Sequence, residues 1–258
     1  MLRIFGGLLF VILAAIGAFI LSMRAQIPDD RFDLQPVFSE SVVTEQGRVI
    51  VFGATRNTGL EVVKILRARG EPVTALVRPT SDRSELEALG VDLVEGDAMD
   101  PASLAEAFEG QKIRAVVTTI GCLNCEPPPD YEGNRNIAEA AKAAGVKRML
   151  LVTTIGAGDS ADTPPFVSRA VLQKILPMKT KAEEHLKGSG LDYTIVRPGG
   201  LMSKPPTGNG FLSEDVKTFG FIFRADLAQL IVACLDDPNT IGKTFAAADL
   251  NRSLPWSE

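Results

Sequence analysis

The sequence predicts a doubly wound α/β domain with a parallel sheet, preceded by one N-terminal transmembrane helix. Three observations carry this expectation. Short apolar runs alternate with helical patterns along most of the 258 residues, the signature of a parallel sheet covered on both faces. A glycine-bearing turn, GATRNTG at 53–59, joins the first apolar run to the first helix. Ahead of both, residues 4–23 form a run of 20 without a single charge.

Residues 1–24 read as a membrane anchor. As a helix, the uncharged run would span about 30 Å, the thickness of a bilayer core, with Arg3 and Arg24 at its ends. It is long for a cleaved signal peptide, and no small-x-small site follows it. The flanking charges scarcely distinguish the two sides of the membrane, so a cytoplasmic domain is expected from its cofactor and its thiols. Gly6, Gly7, Ala14 and Gly17 would permit close packing against a membrane-protein partner. Residues 25–46 read as a linker in which Phe32, Leu34 and Phe38 can lie along the domain surface.

The domain occupies residues 47–258. Strands are predicted at 48–52, 72–77, 92–95, 115–119, 148–153, 193–197 and 244–247. Helices are predicted at 60–69, 85–89, 101–108, 134–144 and 225–235. Pro101 suits a helix start and Gly145 a helix stop. A partly helical region reaches residue 187, and loops at 159–165 and 204–213 are expected at the substrate entrance. Phe211, Phe219, Phe221 and Phe223 form an aromatic-rich region beside the second loop, with at least two of them expected in the core.

Composition narrows the function. A net charge of -5 without a basic stripe argues against nucleic acid as a partner. One histidine, His185, and three cysteines leave no expected metal site. The odd, small cysteine count suggests no disulfide scaffold and fits a reducing compartment. Cys122 and Cys125 form a CxxC pair just beyond the fourth strand, either a redox dithiol or two ordinary loop cysteines.

The strand–turn–helix setting of GATRNTG is that of a Rossmann-type dinucleotide fingerprint. Gly53 would allow the tight turn and Gly59 the close approach of helix to sheet, while Thr55, Arg56, Asn57 and Thr58 would border the pyrophosphate at the helix N-terminus. Arg56 replaces the usual middle glycine, where it either obstructs a close approach or binds a phosphate. The second strand ends in LVRPT without the acid that would hold the ribose of NAD. Arg78 there would pair with a 2'-phosphate, with Ser81 and Arg83 adding contacts, so NADP(H) is the expected cofactor; a solvent-facing arginine is the alternative. Asp97 and Ala98 follow the third strand near the expected adenine position, where Asp97 would accept a bond from the adenine amino group or cap the next helix.

Together, VFGATRNTG, ALVR, EGDAMD, VVTTIG, LLVTTIGAG and GLDYTIVRPGG resemble the atypical short-chain dehydrogenase/reductases. More narrowly, they resemble the NAD(P)H-binding, NmrA-like group that includes flavin/biliverdin reductases. The resemblance runs from Gly47 to Asp249. It implies that Thr119, Ile120 and Gly121 pass the cofactor ribose, and that Pro198, Gly199 and Gly200 line the nicotinamide end. It places Thr153 and Thr154 at the end of the fifth strand, Thr154 being the closer match to an active-site serine, and Lys181 at the position of a catalytic lysine that also holds a ribose hydroxyl, an ordinary surface helix lysine being the alternative. The Tyr-x-x-x-Lys pair is incomplete, because Pro177 stands four residues before Lys181. Tyr193 begins a strand, and Tyr131, near the active-site edge, is the remaining candidate for an acid. Alcohol–ketone chemistry needs such an acid, whereas a conjugated ring stabilises charge itself. The expected function is a membrane-anchored NADPH-dependent reductase passing hydride to a flavin, quinone or other conjugated small-molecule acceptor. The alternative is a non-catalytic NADPH-binding assembly or redox-sensing protein.

Overall fold

The structure is a computed structural model that describes residues 13–21, 26–29, 31–32 and 47–250. Its centre is the strand β1 (Arg48–Phe52), flanked by β2 (Val73–Val77) and β4 (Ile113–Thr118). The eight-stranded sheet runs β3 (Asp92–Glu95), β2, β1, β4, β5 (Arg148–Val152), β6 (Asp192–Pro198), β10 (Lys243–Asp249), β8 (Gly210–Ser213). All neighbours are parallel except β10 and β8. Strand order reverses between β1 and β4, and ligands of such sheets bind beyond the strand C-termini at that switch point.

Alternation along β1 divides the core. Val49 and Val51 join one buried cluster with Val62, Val63 and Leu66 of α1 (Asn57–Ala68) and Leu227 and Ile231 of α7 (Arg224–Asp236). Ile50 and Phe52 face the other way, onto α3 (Pro101–Phe108), α4 (Glu132–Ala143) and α6 (Leu176–Gly188). Both faces of the strand are therefore apolar, as a parallel sheet between two helical layers requires. A short α2 (Ser84–Ala88) and α5 (Phe166–Leu172) are the other named α-helices within residues 47–250.

The predicted elements are present, most within a few residues of their expected ends. Helix α1 begins at Asn57 rather than residue 60, so the end of the glycine-bearing turn is already the helix's first turn. Three short strands had no strand assigned to them: β7 (Gly200–Met202) and β9 (Phe221–Phe223), which pair with each other, and β8, which falls in the expected loop at 204–213. At three or four residues each, they are too short for alternation to show. All four phenylalanines of this region, Phe211, Phe219, Phe221 and Phe223, are buried.

Residues 13–21 are helical, with Leu13, Ile16, Phe19, Ile20 and Leu21 exposed. The rest of the expected anchor lies outside the described residues, and among those described no helix is long and apolar enough to cross a membrane. The expected linker is partly ordered against the domain. Gln26 bridges Phe219, Phe32 bridges Leu212 at the β8 edge, and the Phe32 ring lies 4.7 Å from that of Phe245. Leu34 and Phe38 fall outside the described residues.

Candidate functional site

The turn after β1 is built by two glycines. Gly53 has φ +80, a conformation side chains rarely adopt, and a Cβ there would meet Thr119 Oγ1 at 2.7 Å. A Cβ at Gly59 would stand 2.2 Å from the Gly53 carbonyl oxygen, so the helix approaches the turn as closely as backbone permits. Thr119 secures the turn from β4, donating to Phe52 O at 3.2 Å. Thr55 is half-buried and Thr58 buried, whereas Arg56 and Asn57 are exposed, with Asn57 at φ 54. No side chain caps α1 and no acid occupies its first turn, leaving its positive end open to an anion.

Arg78 is exposed just past β2, and among the described residues its guanidinium has no partner. Ser81 donates its N–H to Arg78 O at 2.9 Å. Arg83 instead pairs with Glu95 at 3.1 Å. Asp97 does not cap α3. It accepts from Met99 N at 2.8 Å, while Asp100 caps the helix through Ala102 N at 3.0 Å. Ala98 O accepts from Asn136 Nδ2 at 3.2 Å, which ties this edge to α4.

Beyond β4 the structure assembles a cluster that sequence reading missed. Asp130 is fully buried; its Oδ2 accepts from Cys122 N at 2.9 Å, and its Oδ1 lies 2.9 Å from the ammonium of buried Lys179. That contact is at ion-pair distance but off the line of a hydrogen bond. Gly121 packs onto the pair: a Cβ there would meet both Asp130 Oδ1 and Lys179 Nζ at 2.9 Å. Ile120 is half-buried beside it. The cysteine count argued for reduced thiols, but Cys122 and Cys125 are joined as a disulfide, their Cα atoms 5.4 Å apart. The tight turn after β4 brings the pair within bonding reach, which spacing alone left open.

Lys181, the expected catalytic lysine, is exposed, its ammonium 6.0 Å from the Tyr131 ring centroid. Lys179 is the lysine that turns inward. Helical spacing held the signal: Lys179, Ala182, Glu183 and Leu186 form the buried stripe of α6, and Lys181 lies off it. Pro177 is exposed in the first turn of that helix. Tyr131 and Tyr193 are partly buried against the core.

At the end of β5 the two threonines diverge. Thr153 is buried and donates to Glu183 Oε1 at 2.6 Å. Glu183 in turn receives two bonds from Arg197, at 3.0 and 2.6 Å, and Arg197 also pairs with Asp159. Burial would raise the Asp159 carboxyl, but the Arg197 hydrogen bond and charge hold it below the usual range. Thr154 is half-buried, and among the described residues its hydroxyl has only long contacts, 3.3 Å to Ile155 O and 3.5 Å to Pro198 O. Pro198 is buried at the end of β6. Gly199 follows, where a Cβ would stand 1.9 Å from Gly220 O. Among the described residues no cluster of histidine, cysteine or acid side chains is arranged to hold a metal.

A family model described as NAD(P)H-binding matches residues 53–238. An uncharacterised sugar epimerase of Bacillus subtilis is 30% identical over 205 residues, 77% of this chain and 92% of the relative. Sanguinarine reductase of Eschscholzia californica is 29% identical over 241 residues, 76% of this chain and 87% of the relative. Among solved structures, an anaerobilin reductase from Escherichia coli O157:H7 superposes with a TM-score of 0.73 at 29% identity, covering 79% of this chain and 98% of its own.

Proposed function

Because this chain belongs to the NAD(P)H-binding family, within the atypical, NmrA-like short-chain dehydrogenase/reductases, we propose that it is an NADPH-dependent reductase of a conjugated small-molecule acceptor. The observation that carries this reading is the pairing of an open, uncapped α1 terminus with Arg78, at the end of the neighbouring strand and without a partner among the described residues. The NADP(H) cofactor expected from the sequence accords with the family.

The residues fit the cofactor. Gly53 and Gly59 let the turn and the first turn of α1 pack as closely as backbone permits, which aims the helix N-terminus at a dinucleotide, and the backbone from Thr55 to Thr58 offers N–H groups to the pyrophosphate. Arg56 and Arg78 supply cationic forks for phosphate, Arg78 favouring a 2'-phosphate. Asp97 and Ala98 would border the adenine, Thr119, Ile120 and Gly121 the ribose, and Thr153, Pro198 and Gly199 the nicotinamide end. When bound, the cofactor supplies a hydride. The chain's own part is to bind, orient and keep water out. The loosely held Thr154 hydroxyl is free to turn toward an acceptor oxygen. Lys179, rather than the exposed Lys181, is the buried cation beside this edge. With Pro177 in place of a tyrosine, an acceptor ring that stabilises its own added charge is favoured over a simple ketone. The names of relatives support this class, since both the sanguinarine and anaerobilin enzymes are called reductases.

The finer part of the proposal is an anchor at residues 1–24 that holds the domain at the cytoplasmic face of a membrane. It is supported by the uncharged run at 4–23 and by exposed Phe166, Val167 and Val171 on α5, a helix with no buried residue. The deciding experiment follows NADPH oxidation by the full chain with flavin and quinone acceptors. Turnover that falls about tenfold or more in Thr154→Ala, with NADPH affinity unchanged, is the expected result. Tight NADPH binding without oxidation of any acceptor would replace this reading with the non-catalytic one.

A further inference from the structure

The Cys122–Cys125 disulfide is half-buried at the C-terminal edge of β4, within reach of solvent yet bonded into the interior through one backbone group. Cys122 N–H donates to Asp130 Oδ2 at 2.9 Å, and Asp130 is the one counter-charge placed on buried Lys179 among the described residues. A buried ammonium is costly unless paired. The orientation of Asp130 therefore decides the surroundings of Lys179, and the loop closed by the disulfide decides one of the bonds that orient Asp130. Gly121, packed against both charged groups, adjoins Cys122 directly.

We propose that Cys122 and Cys125 form a thiol-exchange site for an external dithiol, and that their redox state sets the Asp130–Lys179 pair. In the exchange, a thiolate of the dithiol attacks one Sγ. The Cys122–Cys125 bond breaks as a mixed disulfide forms, and the released sulfur takes a proton. The second thiol of the dithiol then attacks its own bridged sulfur, releasing the other cysteine as a thiol. Two electrons and two protons pass to the protein, and the dithiol leaves as a disulfide. In a reducing compartment, disulfides that occur are usually of this exchanging kind. Reduction removes the covalent closure of the loop, which frees the Cys122 N–H from its fixed approach to Asp130 and loosens the pairing of Lys179. The consequence for cofactor binding rests on the NADPH-binding reading above; the exchange and the change at Lys179 do not.

The third cysteine supplies an internal control. Cys234 is buried, and burial pushes its thiol up to about 12, so it stays unreactive in the folded chain. The test treats the folded full chain with dithiothreitol, labels thiols with a maleimide, and separately acylates amines with an acetyl ester, reading both by mass spectrometry. Expected are labels on Cys122 and Cys125 only after reduction, and acylation of Lys179 that rises about tenfold, the scale of one lost bond to a charged group. The paired variant Cys122→Ser/Cys125→Ser should show the raised Lys179 reactivity with or without dithiothreitol. A pair that resists millimolar dithiothreitol in the folded state overturns the proposal. So does reduction that leaves Lys179 acylation unchanged. NADPH titration of both forms runs alongside, with weaker binding expected after reduction. If neither form binds, it is the cofactor reading that fails, and the labelling still decides the exchange.

Discussion

The α-carbon of Gly59 lies so near the Gly53 carbonyl that a methyl group on it would stand 2.2 Å from the oxygen. The obstacle is backbone on both sides, so no side chain can swing away. Replacing Gly59 with alanine must push the first turn of α1 off β1. We expect Gly59→Ala to lower stability by about 1–3 kcal/mol, the range for overpacking, and to abolish measurable NADPH binding. Urea unfolding and titration calorimetry on the same sample check both. A variant of unchanged affinity would show that the close packing of α1 serves the fold alone.

Arg78 separates two nucleotides that differ by one phosphate. Its guanidinium is exposed and without a partner among the described residues, whereas neighbouring Arg83 is engaged by Glu95. Arg78→Ala should weaken NADPH by about tenfold to a hundredfold, the scale of a charge-assisted bond, and leave NADH nearly untouched. Equal losses for both nucleotides would assign Arg78 to the pyrophosphate rather than the 2'-phosphate.

The parts legible in sequence were those with a local signature. Each central strand is a run of apolar residues, and GATRNTG declares its turn by its glycines, so the sheet and the dinucleotide loop were readable. The cluster beyond β4 was not. Asp130 and Lys179 are 49 positions apart (179 minus 130) and meet only because α4 and α6 lie on the same face of the sheet. Family spacing pointed to Lys181, while the helical stripe that would have named Lys179 was masked by the polar residues on it. Strands β7, β8 and β9 escaped for another reason. Their partners are distant, and a strand of three or four residues is too short to show a period of its own.

The network around Glu183 links three elements without touching the expected phosphates. Thr153 directly follows β5, Arg197 lies in β6 and Glu183 in α6, all nearly inaccessible. Arg197→Met would strand Glu183 in the interior with only the Thr153 hydroxyl for company. Loss of about 3–5 kcal/mol is expected, as for other buried pairs deprived of one partner. Thr153→Val should lose less, about 1–2 kcal/mol. The double variant Arg197→Met/Glu183→Met, read by denaturant unfolding, should recover much of the single loss. A double variant worse than Arg197→Met would mean that the residues serve packing rather than charge.

Asp159 gives the network a pH dependence whose direction can be worked out. Burial acts to raise its carboxyl, but the hydrogen bond and charge of Arg197, with the charge of Lys187, outweigh burial and hold it below its ordinary 3.8. A carboxyl depressed in the folded state contributes stability that is fully present above its unfolded value and disappears as pH falls through the folded one. The Asp159 side chain is 65% exposed, so salt screens the contribution and keeps it small. Arg197 also retains Glu183 when Asp159 is protonated, so the fold need not open. The difference in melting temperature between wild type and Asp159→Asn should therefore be constant from neutrality to about pH 5, shrink below about pH 4, and shrink further in high salt. A difference that grows on acidification would mean that Asp159 is raised rather than depressed, with burial outweighing Arg197.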